Sequence, residues 1–520
     1  MKPGRARRAD RLRSAALPRR CGGWRLGALL GIVYLAVVAG PASARAHVFS
    51  KPFSLGHSGG IFGEGPGAAA DRRGDVILAW VGDGRHGRQD IQIVFRRAPG
   101  KFTRARTIFT TNGGLGSLDV PRVAIDGAGN ALVAFTEFTL DRQGRERAAV
   151  VKAVYRTARG RLSPAQTVSP PKTNGETPAV AMASSGQAVV VFQRDRPFHP
   201  LPYGGEGQVA PPDAVMAAAR APGHPFGPAT AISAPAARAQ PAVDLTPRVT
   251  MTSSGEAIAA WSRAEHGSVA IETSVRPPGG AFGPPALIGI GDDIQPVVLA
   301  GDPSGDTVLV WTSGPRDRPQ LDASYRQAGT PFSTPQVLDS SFDFEGTSFV
   351  NDVQDLSATV DARGTAAVVW LQSDPGACNG GTLLVSRHPA GGEFSAGQKM
   401  RNPRASDDGN PYGATGPSVS LEPSVAAFGA NRFITVWQQM FADAYPDGAC
   451  GSADLLSFAT ATPDSGPFGG PHLLDRFKGD FYNLSLVASP SGLVLAYWQE
   501  LTNNQNTVTV RAAALGARVH

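Results

Sequence analysis

Gly56-His57-Ser58-Gly59-Gly60 has the G-x-S-x-G spacing of a nucleophile elbow, in which a strand-to-helix turn exposes a serine Oγ beside oxyanion donors. Hydrolysis by that route needs a helix straight after the serine. The residues that follow, Ile61-Phe62-Gly63-Glu64-Gly65-Pro66-Gly67, cannot supply one, so the segment is expected to be a linker. His47 would lead a processed chain and could chelate copper, but the remaining histidines offer no second imidazole at ligand spacing. Asp343, Glu345, Asp352 and Asp355 crowd one stretch with the hard oxygen donors that calcium takes, and Asp407-Asp408-Gly409-Asn410 is a shorter set of the same kind. Neither has EF-hand spacing, so calcium competes there with plain solvated carboxylates. Arg73-Gly74-Asp75 spells an adhesive tripeptide, although turn chemistry alone accounts for it. These residues make no recognisable catalytic set, and calcium is the one cofactor they suggest.

What must position any such residue is a repeat. Eight times a short apolar strand meets a tight turn, and an aromatic follows six residues after the turn residue. The pairs are Gly74 and Trp80, Gly129 and Phe135, Gly186 and Phe192, Gly255 and Trp261, Gly305 and Trp311, Gly364 and Trp370, Asn431 and Trp437, and Gly492 and Trp498. Units of roughly 50–70 residues, each with several short strands, are the sequence form of a β-propeller. In the second unit 121–125, 131–135, 149–155 and 162–168 read as four strands, with Asp126 opening a type I turn that Gly129 closes. Asp71, Asp302 and Asp361 hold the same place elsewhere, and Asn431 still tolerates the left-handed conformation.

An aromatic or Leu tags the fourth strand at Phe102, Leu162, Phe226, Phe282, Phe332, Phe394 and Phe468, which leaves one unit short. The last third strand lies at 507–511, and the missing fourth lies at 49–55. The expected fold is therefore all-β: an eight-bladed propeller of four-stranded antiparallel blades, the last completed by 48–55, with seven blades as the alternative. The once-per-blade Trp and Phe are expected between blades, as core rather than as a sugar-stacking row.

Residues 1–46 read as a secretory signal. A basic region is followed by the apolar run Leu26 to Gly40 and by Ala44-Arg45-Ala46, a small-residue cleavage site. An uncleaved anchor is the alternative, and Arg19-Arg20 leaves the export route open. The leader's surplus of nine positive charges exceeds the chain's total of +6, so 47–520 is left near −3. No basic stripe then points to nucleic acid or an anionic membrane, and 47–520 has no apolar stretch long enough to span a bilayer. The domain expected there is a single propeller, secreted or at the cell surface.

First-to-second and third-to-fourth turns are short. The other two connections are long and variable, as at 193–213, 339–355, 402–417 and 438–454, and in a meander both leave from one face. A binding site is expected on that face, near the axis. Cys378 and Cys450 sit in equivalent second-to-third-strand loops of adjacent blades and are the two cysteines that remain once Cys21 is removed. In an oxidising compartment they are expected to form a disulfide.

By this repeat the chain resembles secreted bacterial β-propellers of the sialidase/BNR-like superfamily, as an architecture spanning 47–520. The Asp-box of that superfamily is Ser/Thr-x-Asp-x-Gly-x-x-Trp/Phe. Here the Asp precedes the Gly by three and the aromatic follows by six, and no Arg-Ile-Pro segment is present. The expected function is an exported, monomeric, non-catalytic binding or scaffold module for a glycan, a peptide or a surface protein. The resemblance implies one alternative, a sialidase-like glycan-active hydrolase or lyase using carboxylates of the variable loops. A structural surface protein without a ligand is the other.

Overall fold

The turn at Asp126 shows how each repeat reverses. In the computed structural model its Oδ1 accepts hydrogen bonds from the backbone N–H groups of Ala128 and Asn130, both at 2.8 Å, and the Gly129 N–H donates to the Asp126 carbonyl at 3.0 Å. Asp71, Asp302 and Asp361 close their turns the same way. All eight turn residues have positive φ, from 52° at Asn431 to 113° at Gly305, where a Cβ is penalised. Hydroxyls substitute for the acid in two blades: Thr252 Oγ1 accepts from the Glu256 N–H at 3.0 Å and Ser489 Oγ from the Ser491 N–H at 3.2 Å.

The structure describes residues 49–515 apart from 60–64, 113–115, 144–145, 172, 196–211, 235–242, 266–267, 292–296, 315–318, 341–355, 374–380, 401–417, 442, 445–449, 452–453, 461–466, 477–480 and 502–506. Its first strands are Gly67–Ala70, Arg122–Ile125, Asn174–Met182, Val243–Met251, Val298–Gly301, Leu356–Val360, Ser418–Gly429 and Phe481–Ala488. Each packs against the next and the last against the first, so the inner wall closes as a ring of eight. From each an antiparallel meander runs outward to a short fourth strand. Hydrogen bonding gathers the units into seven sheets, because Gly381 pairs with Ser420 and fuses the sixth and seventh units into one eight-stranded sheet. A separate ribbon joins Asp443–Ala444 to Cys450–Gly451. The chain is thus an all-β propeller of four-stranded antiparallel blades, with 47–520 as one compact unit.

The second strands form the core. The eight aromatics from Trp80 to Trp498 are at most 1% exposed, and the clusters around them mix residues of adjacent blades. Trp80, for example, packs with Leu55, Leu495, Tyr497 and Val510 of the last blade.

That last blade is completed from the N-terminal side. Phe53–Ser58 pairs antiparallel with Val508–Leu515, and Phe49 bridges to Leu515. The strand runs on to Ser58, through a bulge between Ser54 and Gly56, which corrects the linker expected for Gly56, His57 and Ser58. The reason is a close approach: Trp80 Nε1 donates to the His57 carbonyl at 2.9 Å, and a Cβ at position 56 would stand 2.6 Å from Trp80 Cζ2.

A ladder of arginines ends five successive third strands: Arg96, Arg156, Arg220, Arg276 and Arg326. Arg156 lies 3.6 Å over the Phe95 ring of the preceding blade and Arg220 lies 3.8 Å over Tyr155. Arg96 and Arg326 donate instead to the carbonyls of their own turn glycines, Gly74 at 2.9 Å and Gly305 at 3.2 Å. In the sixth blade His388 takes this place and stacks on Tyr325 with ring centroids 4.0 Å apart.

Candidate axial site

The inner strands enclose an axial cavity of about 390 Å³. Its wall follows the repeat: the position seven ahead of the turn residue supplies lining in seven of the eight units, as Arg122 does ahead of Gly129, and Leu299 lines it in the fifth. Gly67, Arg122, Ala179, Arg248, Ser357, Ser424 and Ser485 all occupy that position. The wall is therefore small and neutral except where the second and fourth blades bring in guanidinium groups. Asn483 and Tyr497 add polarity. Burial pushes the Tyr497 hydroxyl above its ordinary range, against the opposing effects of its bond to Ser485 and the charge of Arg122.

Four inner strands bulge at one level, between Glu176 and Ala179, Leu245 and Arg248, Leu421 and Ser424, and Tyr482 and Ser485. Two of these bulges hold left-handed residues, Thr177 at φ 47° and Asn483 at φ 60°. Asparagine adopts that conformation at low cost. A β-branched threonine does not, and Thr177 also precedes Pro178, so this bulge stores strain.

Beside the strained bulge lies a cluster of carboxyls. Glu176 and Asp195 from the third blade meet Glu146 from the second; Asp195 is 2% exposed. Burial pushes Glu176 up to about 8, and the Asp195 charge adds to it. Glu146 rises to about 7 through burial and the Glu176 charge, and Asp195 to about 6, again chiefly through burial. Asp195 Oδ1 and Glu146 Oε1 are buried with no donor in reach. A shared proton resolves this: a protonated acid donates to its neighbour's carboxylate. Asp213 faces the same group and pairs with Arg194 at 2.8 Å, and Asp119 adds its charge to Glu176.

The residues singled out from sequence fare differently. Ser58 is 7% exposed, donates to the Val81 carbonyl at 3.1 Å and accepts from Gln499 Nε2 at 2.7 Å, which is the setting of a structural hydroxyl. Arg73 folds back onto Asp71 and Asp75 within its turn. Asp343, Glu345, Asp352, Asp355, Asp407, Asp408, His47 and Cys378 lie outside the described residues. Among the described residues no group of three or more His, Cys, Asp and Glu is arranged to hold a metal ion, and no helix is long and apolar enough to cross a membrane. Neither the axial arginines nor the carboxyl cluster was found from sequence. Pro121-Arg122-Val123 and Pro247-Arg248-Val249, in the same register to their turns, were the available signal.

No protein-family model matches this chain, and no curated protein does. Solved structures similar to it include an ulvan lyase of polysaccharide lyase family PL25, at 11% identity over 88% of this chain and 95% of that one, with a TM-score of 0.42. Sialidase NanB from Streptococcus pneumoniae matches at 8% identity over 90% and 94%, with a TM-score of 0.36. A protein of unknown function from Dyadobacter fermentans matches at 14% over 68% and 97%, also at 0.36. The likeness is one of fold.

Proposed function

We propose that residues 47–520 are an exported binding module whose axial cavity takes the anionic group of an acidic glycan. The supporting observation is the pair Arg122 and Arg248, the two charged residues in a wall of mostly small and aliphatic residues with Asn483 and Tyr497. Guanidinium groups match carboxylate and sulfate geometry, and small neighbours leave room for a sugar ring. Applied to a glycan and peptide array, the protein should retain uronic-acid or sulfated oligosaccharides over neutral ones. Arg122→Gln combined with Arg248→Gln should weaken that retention by about tenfold or more. Equal retention of neutral glycans or peptides, or a double variant that binds like the parent, would overturn the reading.

A glycan-active hydrolase or lyase is the second reading, and the Glu146–Glu176–Asp195 cluster favours it. A carboxyl that holds its proton to about pH 8 has the property a general acid needs. New reducing or unsaturated ends released from an acidic polysaccharide, and lost in Glu176→Gln, would support this reading; intact polysaccharide after prolonged incubation would remove it.

An exported chain also favours the disulfide between Cys378 and Cys450. Closing a loop of about 70 residues contributes on the order of 4 kcal/mol in the chain-entropy model. Intact mass after alkylation of the native, unreduced protein should show no modified cysteine in 47–520. Two alkylated thiols would end the idea.

A further inference from the structure

One register position of the third strands, opposite the residue three past each turn residue, is uncharged in all blades but one. The register places Phe95, Tyr155, Ala219, Val275, Tyr325, Thr460 and Ala514 opposite Ile77, Leu132, Val189, Ile258, Val308, Ile434 and Leu495. In the sixth blade the same position, opposite Ala367, holds Arg387. Its guanidinium carbon lies 5.4 Å from the Phe433 ring centroid and 5.0 Å from that of Phe468, both of the seventh blade.

This cation differs from Arg326 of the ladder. Arg326 has the Glu256 carboxylate at 3.0 Å and the Gly305 carbonyl. Arg387 Nη2 is buried and nothing accepts from it. Burial alone lowers the proton affinity of the group. A desolvated guanidinium without a counter-charge is costly unless something supplies one.

The space beside it is open. A cleft of about 810 Å³ between the sixth and seventh blades is lined by Arg387 and Arg363 together with Val385, Ala396 and Phe433. It is bounded by the short turns, on the side opposite to the long connections. Volume and lining suit a small organic ligand.

We propose that this lateral cleft is a second binding site, for a small amphipathic carboxylate whose anionic end pairs with Arg387 and whose apolar body lies against Val385, Ala396 and Phe433. The carboxylate supplies a counter-charge to the guanidinium from the cleft side, and the two rings hold the guanidinium plane in place. This site is separate from the axial cavity and does not depend on the function proposed for it.

The probe is 3-phenylpropanoate, titrated calorimetrically into residues 47–520, with the neutral 3-phenylpropanamide alongside. Saturable one-to-one binding is expected for the acid and about tenfold or more weaker binding for the amide. Arg387→Gln should bring the acid down to the level of the amide, and Glu393→Gln, which removes a like charge from the rim, should tighten it. The acid–amide comparison needs no variant and so stands even where Arg387→Gln folds poorly. Equal binding of acid and amide, no saturation up to on the order of 10 mM, or an Arg387→Gln variant that binds like the parent would each overturn the proposal.

Discussion

Deleting residues 48–58 is expected to abolish the single cooperative unfolding transition of 47–520. The deletion leaves the edge of Val508–Leu515 without its partner and removes Phe49 and Leu55 from two core clusters. It also strips the acceptor from Trp80 Nε1 and removes the Ser58 hydroxyl that Gln499 Nε2 donates to. Each large apolar side chain lost from burial is worth roughly 1.5–3 kcal/mol, against a typical net stability of about 5–15 kcal/mol. The unfolding temperature should fall by at least about 10 °C, and the bare strand edge should cause concentration-dependent association. Calorimetry and size-exclusion chromatography read both effects. An unchanged transition in a monomeric truncation would refute the closure.

Stability is expected to decline as pH rises from about 5 to 8, the reverse of what salt-bridged carboxylates produce. Glu146, Glu176 and Asp195 have folded-state values of about 7, 8 and 6, above the ordinary 4.5 for Glu and 3.8 for Asp. Below the ordinary values all three are protonated both folded and unfolded, and their contribution is intact. Above them the unfolded chain releases protons that the folded cluster keeps. Stability therefore falls until the folded carboxyls ionise near about pH 8. Unfolding temperatures from pH 5 to pH 8 should drop by about 5 °C or more. Glu176→Gln should flatten the slope and raise the pH 8 value. A Glu176→Gln variant with the parent's slope would show that the cluster does not carry this dependence.

The turns, the core aromatics and the closing strand were legible because each follows from local chemistry. The positive φ of the repeat turns favours Gly or Asn, and a fixed interval from turn to aromatic reports a strand of fixed length. The shortfall in fourth-strand tags pointed to 49–55 as the missing partner. Its extension to Ser58 was not legible, since it depends on the approach of Gly56 to Trp80 across the seam. The carboxyl cluster was hidden because Glu146, Glu176 and Asp195 come from three strands of two blades. The arginine ladder was visible in principle: Arg96, Arg156, Arg220, Arg276 and Arg326 each stand six residues before a fourth-strand tag. Arg387 is the residue that breaks the pattern, and only the register shows that it turns toward the other neighbour.

The closing strand also sets an order of events. Ser50 and Ala514 share a hydrogen bond across 464 positions of chain, so the closing strand cannot take its place before the far end of the repeat exists. Until Val508–Leu515 exists, the N-terminal segment has no partner and the opposite edge of the ring stays open. Blades can form early through local hairpins, but the circle itself waits on one very long loop closure, a slow step by its entropy. The interval between is when unpaired edges invite association with other chains. A chain that has not closed is therefore an open horseshoe with two bare strand edges rather than a ring.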